Sequence, residues 1–114
     1  METKALALDV ADSDEYQPLL TGQPQTCGMR SGRVFLKPGM ECGVHSTKAH
    51  EEILVFLGGQ GTACVGDPIA GIPVGQGKVL YIPPHTPHNI VNSGTEPFIY
   101  IYCVAPVGLW EKNE

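Results

Sequence analysis

The sequence predicts an all-β fold, a sandwich or barrel of short antiparallel strands. From residue 29 onward, short apolar runs rich in Val, Ile, Phe and Tyr alternate with turns that contain Gly or Pro. The 14 Gly and 10 Pro are many for 114 residues, which favours a chain with many turns. No window shows a sustained apolar period of about 3.6 residues, so we expect little helix.

Seven apolar runs are predicted strands, and the turns between them suit hairpins. Lys37-Pro38-Gly39 fits a type II turn, and both Gly58-Gly59 and Asn92-Ser93-Gly94 contain residues that accept positive φ angles. Such tight turns favour antiparallel pairing of neighbouring runs. In chain order the runs read RVFLKPG, EEILVFLGG, GTACVGD, GIPVGQG, KVLYIPP, HNIVNSG and FIYIYCVAP.

The length sets the domain organisation. A chain of 114 residues can build one hydrophobic core but not two, so we expect a single domain over residues 1–114. Residues 1–28 are expected to form a strand and a meandering arm, and residues 29–106 the barrel core. Residues 107–114, which include Trp110, are expected to form a C-terminal tail.

The charge pattern argues against two classes of partner. The formal net charge is −5, and the seven Lys and Arg are scattered, so no basic patch predicts binding to nucleic acid or to an anionic membrane. No stretch approaches the roughly 20 apolar residues of a membrane-spanning helix. The start, METKALALDVADSDEY, lacks the features of a secretion signal, so we expect a cytoplasmic protein.

The four cysteines lie far apart in the sequence, with no pair at the spacing of a zinc ribbon or a thioredoxin-like site. We therefore expect reduced and mostly buried thiols. They are Cys27, Cys42, Cys64 and Cys103.

The histidines fall in two short windows, with His45 and His50 in the first and His85 and His88 in the second. Clusters of His and carboxylate residues are typical of sites for divalent metals. The first window continues into a predicted strand in which Glu52 shares a face with apolar residues, because side chains alternate with a period of two. A carboxylate carried inward is costly unless a metal or a proton neutralises it.

These windows resemble the two sequence motifs of the cupin superfamily. The first motif runs Gly, five residues, His, one residue, His, three or four residues, Glu, six residues, Gly. The second runs Gly, five residues, Pro, one residue, Gly, two residues, His, three residues, Asn. The residues that match are Gly39, His45, Glu52 and Gly59, then Gly77, Pro83, His88 and Asn92. The resemblance implies a double-stranded β-helix, the jelly-roll barrel of the cupins.

The resemblance also implies a divalent metal ion, Fe, Mn, Ni or Zn, held by His45, Glu52 and His88. Thr47 stands where the first motif has its second histidine, and a neutral hydroxyl is a poor ligand beside imidazole or carboxylate. The remaining set of two His and one carboxylate leaves coordination positions open. His50, placed in the spacer before the strand, is a possible substitute ligand.

Two further ambiguities stay open at the level of sequence. Glu51 with Gly58 satisfies the shorter spacer of the first motif, although alignment of the apolar run favours Glu52 as the ligand. Arg30 and Arg33 are candidates to clamp an anionic ligand, or else solvated residues of a surface strand. His85 occupies the position of the second motif's internal Gly, so we interpret it as a loop residue at the rim of the site.

Three functions compete. The first is a metal-dependent enzyme, dioxygenase-like or isomerase-like, that acts on a small polar metabolite. The second is a non-catalytic module that binds a small ligand with weak metal binding or none, and the third is a storage or structural barrel. The resemblance also implies a homodimer, in which a second copy would cover exposed sheet edges.

Overall fold

The computed structural model describes residues 2–108, which form an all-β structure without helices. The predicted fold class is therefore confirmed, and within these residues no helix is long and apolar enough to cross a membrane. The strands in chain order are β1 (Gln17–Thr21), β2 (Arg30–Leu36), β3 (His45–Ser46), β4 (His50–Gly58), β5 (Gln60–Val65), β6 (Ala70–Gly75), β7 (Val79–Ile82), β8 (Pro87–Val91) and β9 (Phe98–Pro106).

Two antiparallel sheets enclose the core. One sheet has the order β1-β2-β9-β4-β7 and the other the order β3-β8-β5-β6. Strands that are adjacent in space are mostly distant in sequence, as in a jelly roll. Every predicted apolar run contains a strand, whereas β1 and the two-residue β3 lie outside those runs. The early ALALDV segment is irregular, and Trp110 of the predicted tail lies outside the described residues.

The core follows from strict alternation along β4. Leu54 and Phe56 point inward and are almost fully buried, while Val55 between them points outward. The Phe56 ring stacks on Phe98 at 5.3 Å between centroids, and Tyr100 tilts against both rings. Burial of each such side chain contributes roughly 1.5–3 kcal/mol, so this aromatic layer stabilises the packing of the strands that carry it.

Two glycines of the first motif are required by the backbone. Gly39 has φ 84° in the turn closed by the hydrogen bond from Met40 N to Lys37 O at 2.9 Å, which confirms the predicted turn. Gly59 has φ 82°, and a Cβ there would collide with the carbonyl oxygen of Pro97. The positive φ favours glycine at both positions, and at Gly59 a larger residue would also clash.

The second motif holds the end of β8 in place. The Asn92 side chain is buried and donates hydrogen bonds to the carbonyls of Leu36 and Glu96, each at 2.8 Å. Its Oδ1 accepts a bond from Gly94 N at 3.0 Å, so Asn92 also stabilises its own turn. His85 has φ 54°, a left-handed conformation that explains why a glycine suits this position.

The expectation of mostly buried thiols is wrong. All four cysteines are free, but Cys27 and Cys42 are exposed, while Cys64 and Cys103 are half-buried. Cys27 and Cys42 lie in the connecting segments before β2 and β3, and such segments run over the protein surface, which accounts for their exposure.

Candidate metal centre

Three side chains from three strands meet at the open end of the barrel. His45 of β3 pairs directly with His88 of β8, and the centroids of their rings lie 4.1 Å apart. Glu52 arrives from β4 in the opposite sheet. One potential ligand atom from each residue lies within 4.8 Å of the others. The structure therefore brings together the three residues that the resemblance implies as ligands.

Backbone carbonyls orient both imidazoles. The Nδ1 atom of His45 lies 2.8 Å from the Gly43 oxygen, and that of His88 lies 3.0 Å from the Thr86 oxygen. A carbonyl only accepts, so each Nδ1 carries the proton and each Nε2 presents its lone pair. Metal-binding histidines are commonly oriented by such a bond on the other ring nitrogen.

The geometry of the buried pair of His88 and Glu52 indicates whether a cation fits between them. The Nε2 atom of His88 lies 3.2 Å from Oε1 of Glu52, yet it forms no aligned hydrogen bond with any described residue. With the proton on Nδ1, a lone pair would face a carboxylate at this distance. That arrangement is unfavourable without a shared positive charge, so the residues present fit a metal ion.

The same surroundings perturb the titration of His88. Burial acts to lower the pKa of His88, but the adjacent Glu52 carboxylate and the Thr86 carbonyl together outweigh it. The net pKa of His88 is raised above its ordinary value of 6.5. A proton therefore competes for the position that a metal would occupy.

Thr47 performs a different task from the histidine it replaces. It is buried, and its hydroxyl donates to the carbonyl of Pro83 at 2.7 Å and accepts from the Thr86 amide at 3.0 Å. These two bonds fasten the loop between β7 and β8, which leads into His88 on β8. The Thr47 hydroxyl therefore uses both its donor and an acceptor function in bonds to this loop.

His50 and Glu51 are placed by the register of β4. His50 begins this strand, so its prediction as a spacer residue is wrong; it shares the inner face with Glu52 and lines the cavity but lies outside the three-residue cluster. Glu51 points outward, where it accepts a hydrogen bond from Tyr81 at 2.8 Å. Only Glu52 of the two carboxylates faces the interior.

The cluster opens into a cavity of about 610 Å³. Tyr16, Arg30 and Tyr102 line its far side, and Cys42 lies beside the cluster. Although the residue as a whole is exposed, desolvation of its thiol at the cavity wall raises the pKa of Cys42, and the sulfur accepts a hydrogen bond from Ile90 N at 3.3 Å. Neither Tyr16 nor Cys42 occupies a motif position, so the sequence analysis missed both residues.

The predicted pair of arginines is separated by the sheet. Arg30 lines the cavity, whereas Arg33 is buried on the opposite face of β2. Arg33 donates to the Ser13 carbonyl at 2.9 Å and fixes the N-terminal arm. A clamp formed by both residues is therefore wrong, as is a solvated Arg33. His85 is exposed in its loop and lies outside the cavity lining, which corrects its expected place at the rim.

Comparisons with known proteins agree with this architecture. A glucose-6-phosphate isomerase of Pyrococcus abyssi is 40% identical over 60 residues, which cover 50% of this chain but only 32% of that protein. The chain thus spans about a third of the length of this relative.

Solved structures match over more of the chain. A cupin 2 conserved barrel domain protein from Salinispora arenicola covers 96% of both chains at 20% identity with a TM-score of 0.73. A cupin protein from Bacteroides fragilis covers 90% of this chain and 85% of its own at 25% identity with a TM-score of 0.73. The family model described as a cupin domain matches residues 32–104. The chain therefore belongs to the cupin family.

Proposed function

We propose that this cupin binds a divalent metal ion through His45, Glu52 and His88 and holds a small polar metabolite in the adjoining cavity. The observation that carries the proposal is the buried Nε2 atom of His88, which faces Glu52 at 3.2 Å without an aligned hydrogen bond. Two imidazoles and a carboxylate suit Fe, Mn, Ni or Zn.

The ligand set leaves positions for water or a metabolite oxygen. A metal bound there would act as a Lewis acid on that oxygen. The cavity of about 610 Å³ lies in the usual size range of small-molecule sites. The isomerase relative supports an isomerase-type reaction as one form of this proposal, and the residues available beside the cluster include His50.

A binding module without catalysis is the second candidate. The bonds of Thr47 to Pro83 and Thr86 support it, because they remove this position from the ligand set and leave three ligands instead of four. In that form the cavity would hold its ligand with weak metal binding or none. Turnover of any metabolite by the metal-loaded protein would overturn the module.

Calorimetric titration with Mn²⁺, Fe²⁺, Ni²⁺ and Zn²⁺ tests the metal proposal. The wild-type protein is expected to bind at least one of them with a stoichiometry near one per chain, and His88→Ala to lose that binding. His85→Ala is the matched control, because this histidine is exposed and outside the cavity. Equal binding by wild type and His88→Ala would contradict the assignment of ligands.

We also propose that a second copy of the chain covers the outer face of β4, β7 and β9 in the five-stranded sheet. Ile53, Val55, Leu57, Val79 and Tyr81 are exposed there. The only charged side chain on this face of β4, β7 and β9 is Glu51, which already bonds to Tyr81. An apolar face with a single charged side chain is complementary to another such face, and an isologous dimer supplies one. The cytoplasmic location expected from composition stays a prediction.

A further inference from the structure

Arg30 lies in line with the candidate metal centre. It pairs with Val104 of β9, which in turn pairs with Glu52 of β4. Directly paired residues of antiparallel strands point to the same face, so Arg30 and Glu52 share the inner face. With two strand spacings between them, their Cα atoms lie about 10 Å apart.

The guanidinium of Arg30 has no protein partner among residues 2–108. In this described part of the chain it forms no ion pair and no side-chain hydrogen bond, in contrast to Arg33, which is bonded to Ser13. A guanidinium at the wall of a cavity presents planar donors that match carboxylate and phosphate oxygens.

A pair of tyrosines adds donors at the same place. The hydroxyls of Tyr16 and Tyr102 lie 2.6 Å apart, so one O–H is used between them and the other is free to donate. Gly32 lies beneath them, and a Cβ there would collide with the Tyr16 hydroxyl. Burial and the bond from Tyr16 raise the pKa of Tyr102, while the charge of Arg30 acts in the opposite direction, as expected for a nearby cation.

We propose that Arg30, Tyr16 and Tyr102 form an anion-binding subsite opposite the metal centre. The ligand class is a compact metabolite with a hydroxyl or carbonyl oxygen at one end and a carboxylate or phosphate at the other. The assignment of both ends rests on the proposed metal function, whereas the anion subsite itself does not require it. A neutral polyol would leave the guanidinium unpaired and bind weakly.

Matched probe pairs test the subsite on the protein loaded with Mn²⁺ and dialysed free of excess metal. 4-Hydroxybutyrate is compared with butane-1,4-diol, and glycerol 3-phosphate with glycerol, by calorimetry. The wild type is expected to bind at least one anion about tenfold or more tightly than its neutral partner. The anion that gains more affinity over its neutral partner shows whether the charged group of the natural ligand is a carboxylate or a phosphate.

Variants assign the effect to Arg30. Arg30→Gln is expected to weaken binding of the preferred anion by about 10–100-fold and Arg30→Lys by less, with Mn²⁺ affinity unchanged in both. Tyr16→Phe, which keeps the ring, is expected to weaken it by a smaller factor. Lys37→Gln removes the same charge from an exposed turn outside the cavity and is expected to change nothing.

Failure of this inference is distinct from failure of the metal proposal. If the wild type binds none of Mn²⁺, Fe²⁺, Ni²⁺ and Zn²⁺, the metal proposal falls, and the same probe pairs applied to metal-free protein still report on Arg30. Equal binding of charged and neutral probes, no binding of either anion, or unchanged anion affinity in Arg30→Gln would overturn the subsite.

Discussion

The Nε2 atom of His88 lies 3.2 Å from Oε1 of Glu52 in the wall of the cavity, without the alignment of a hydrogen bond. A carbonyl fixes the other ring nitrogen of His88, so the lone pair and the carboxylate point at a shared position. A proton or a metal ion at that position would remove the repulsion between the lone pair and the carboxylate. The proton makes the stability of the metal-free protein depend on pH, and its displacement makes the metal affinity depend on pH in the opposite direction.

Glu52→Gln is expected to weaken metal binding by about 100-fold or more, because a neutral amide replaces the anionic ligand. The metal-free variant should keep the wild-type melting temperature or exceed it, since the amide can donate to Nε2 of His88. Differential scanning calorimetry with and without Mn²⁺ measures both effects.

Glu51→Gln is the control for this experiment, because it makes the same charge change on the exposed outer face. A metal-induced rise in melting temperature that survives in Glu52→Gln but not in Glu51→Gln would show that the other register supplies the ligand.

The stability of the metal-free protein is expected to depend on His88. Its folded-state pKa is raised above 6.5, so its stabilising contribution is fully present below about pH 6.5 and is lost as pH rises through the folded pKa. Urea unfolding from pH 5.5 to 8 should show this loss in the wild type and not in His88→Ala.

Metal binding should have the opposite pH dependence. A metal must displace the proton from His88, so the apparent Mn²⁺ affinity should rise about tenfold per pH unit until the raised pKa is passed. An affinity that stays constant from pH 6 to 8 would show that no such proton is displaced.

Thr47→Val is expected to destabilise the protein by about 1–3 kcal/mol, because it leaves the Pro83 carbonyl and the Thr86 amide without their buried partner. It should also weaken metal binding by loosening the loop that precedes His88 on β8. Thr47→Ser keeps the hydroxyl and serves as the control; urea unfolding and calorimetry measure the two effects. Full stability of Thr47→Val would contradict this role.

Val55→Glu is expected to convert a dimer into monomers, because it places a charge at the centre of the proposed apolar interface. Ile72→Glu is a matched control, since Ile72 and Val55 are both 37% exposed but lie on different sheets. Sedimentation velocity measures the oligomeric state. A wild-type protein that is monomeric at concentrations of about 100 μM would contradict the interface.

The sequence allowed much of this arrangement to be predicted, for reasons that are local. Gly39 and Gly59 are required by positive φ angles, and alternation along β4 places Glu52 inside. Packing between residues distant in the sequence could not be predicted. The contact between Tyr16 and Tyr102 joins residues 86 positions apart, and the burial of Arg33 depends on where the N-terminal arm crosses β2.

The short β3 was missed because two residues carry no periodic signal, although its pairing with β8 sets His45 beside His88. His50 was assigned to the spacer because the apolar run was expected to start at Glu51, whereas β4 begins one residue earlier, at His50. Both errors concern strand ends, where pairing across the barrel decides the boundary rather than local propensity.

Element analysis of the protein, purified without chelators or metal-binding tags, tests the central claim most directly. The account predicts about one Fe, Mn, Ni or Zn per chain in the wild type and less than about a tenth in His88→Ala. A wild-type protein with less than about a tenth of a metal per chain, and no rise in melting temperature when these metals are added, would contradict it.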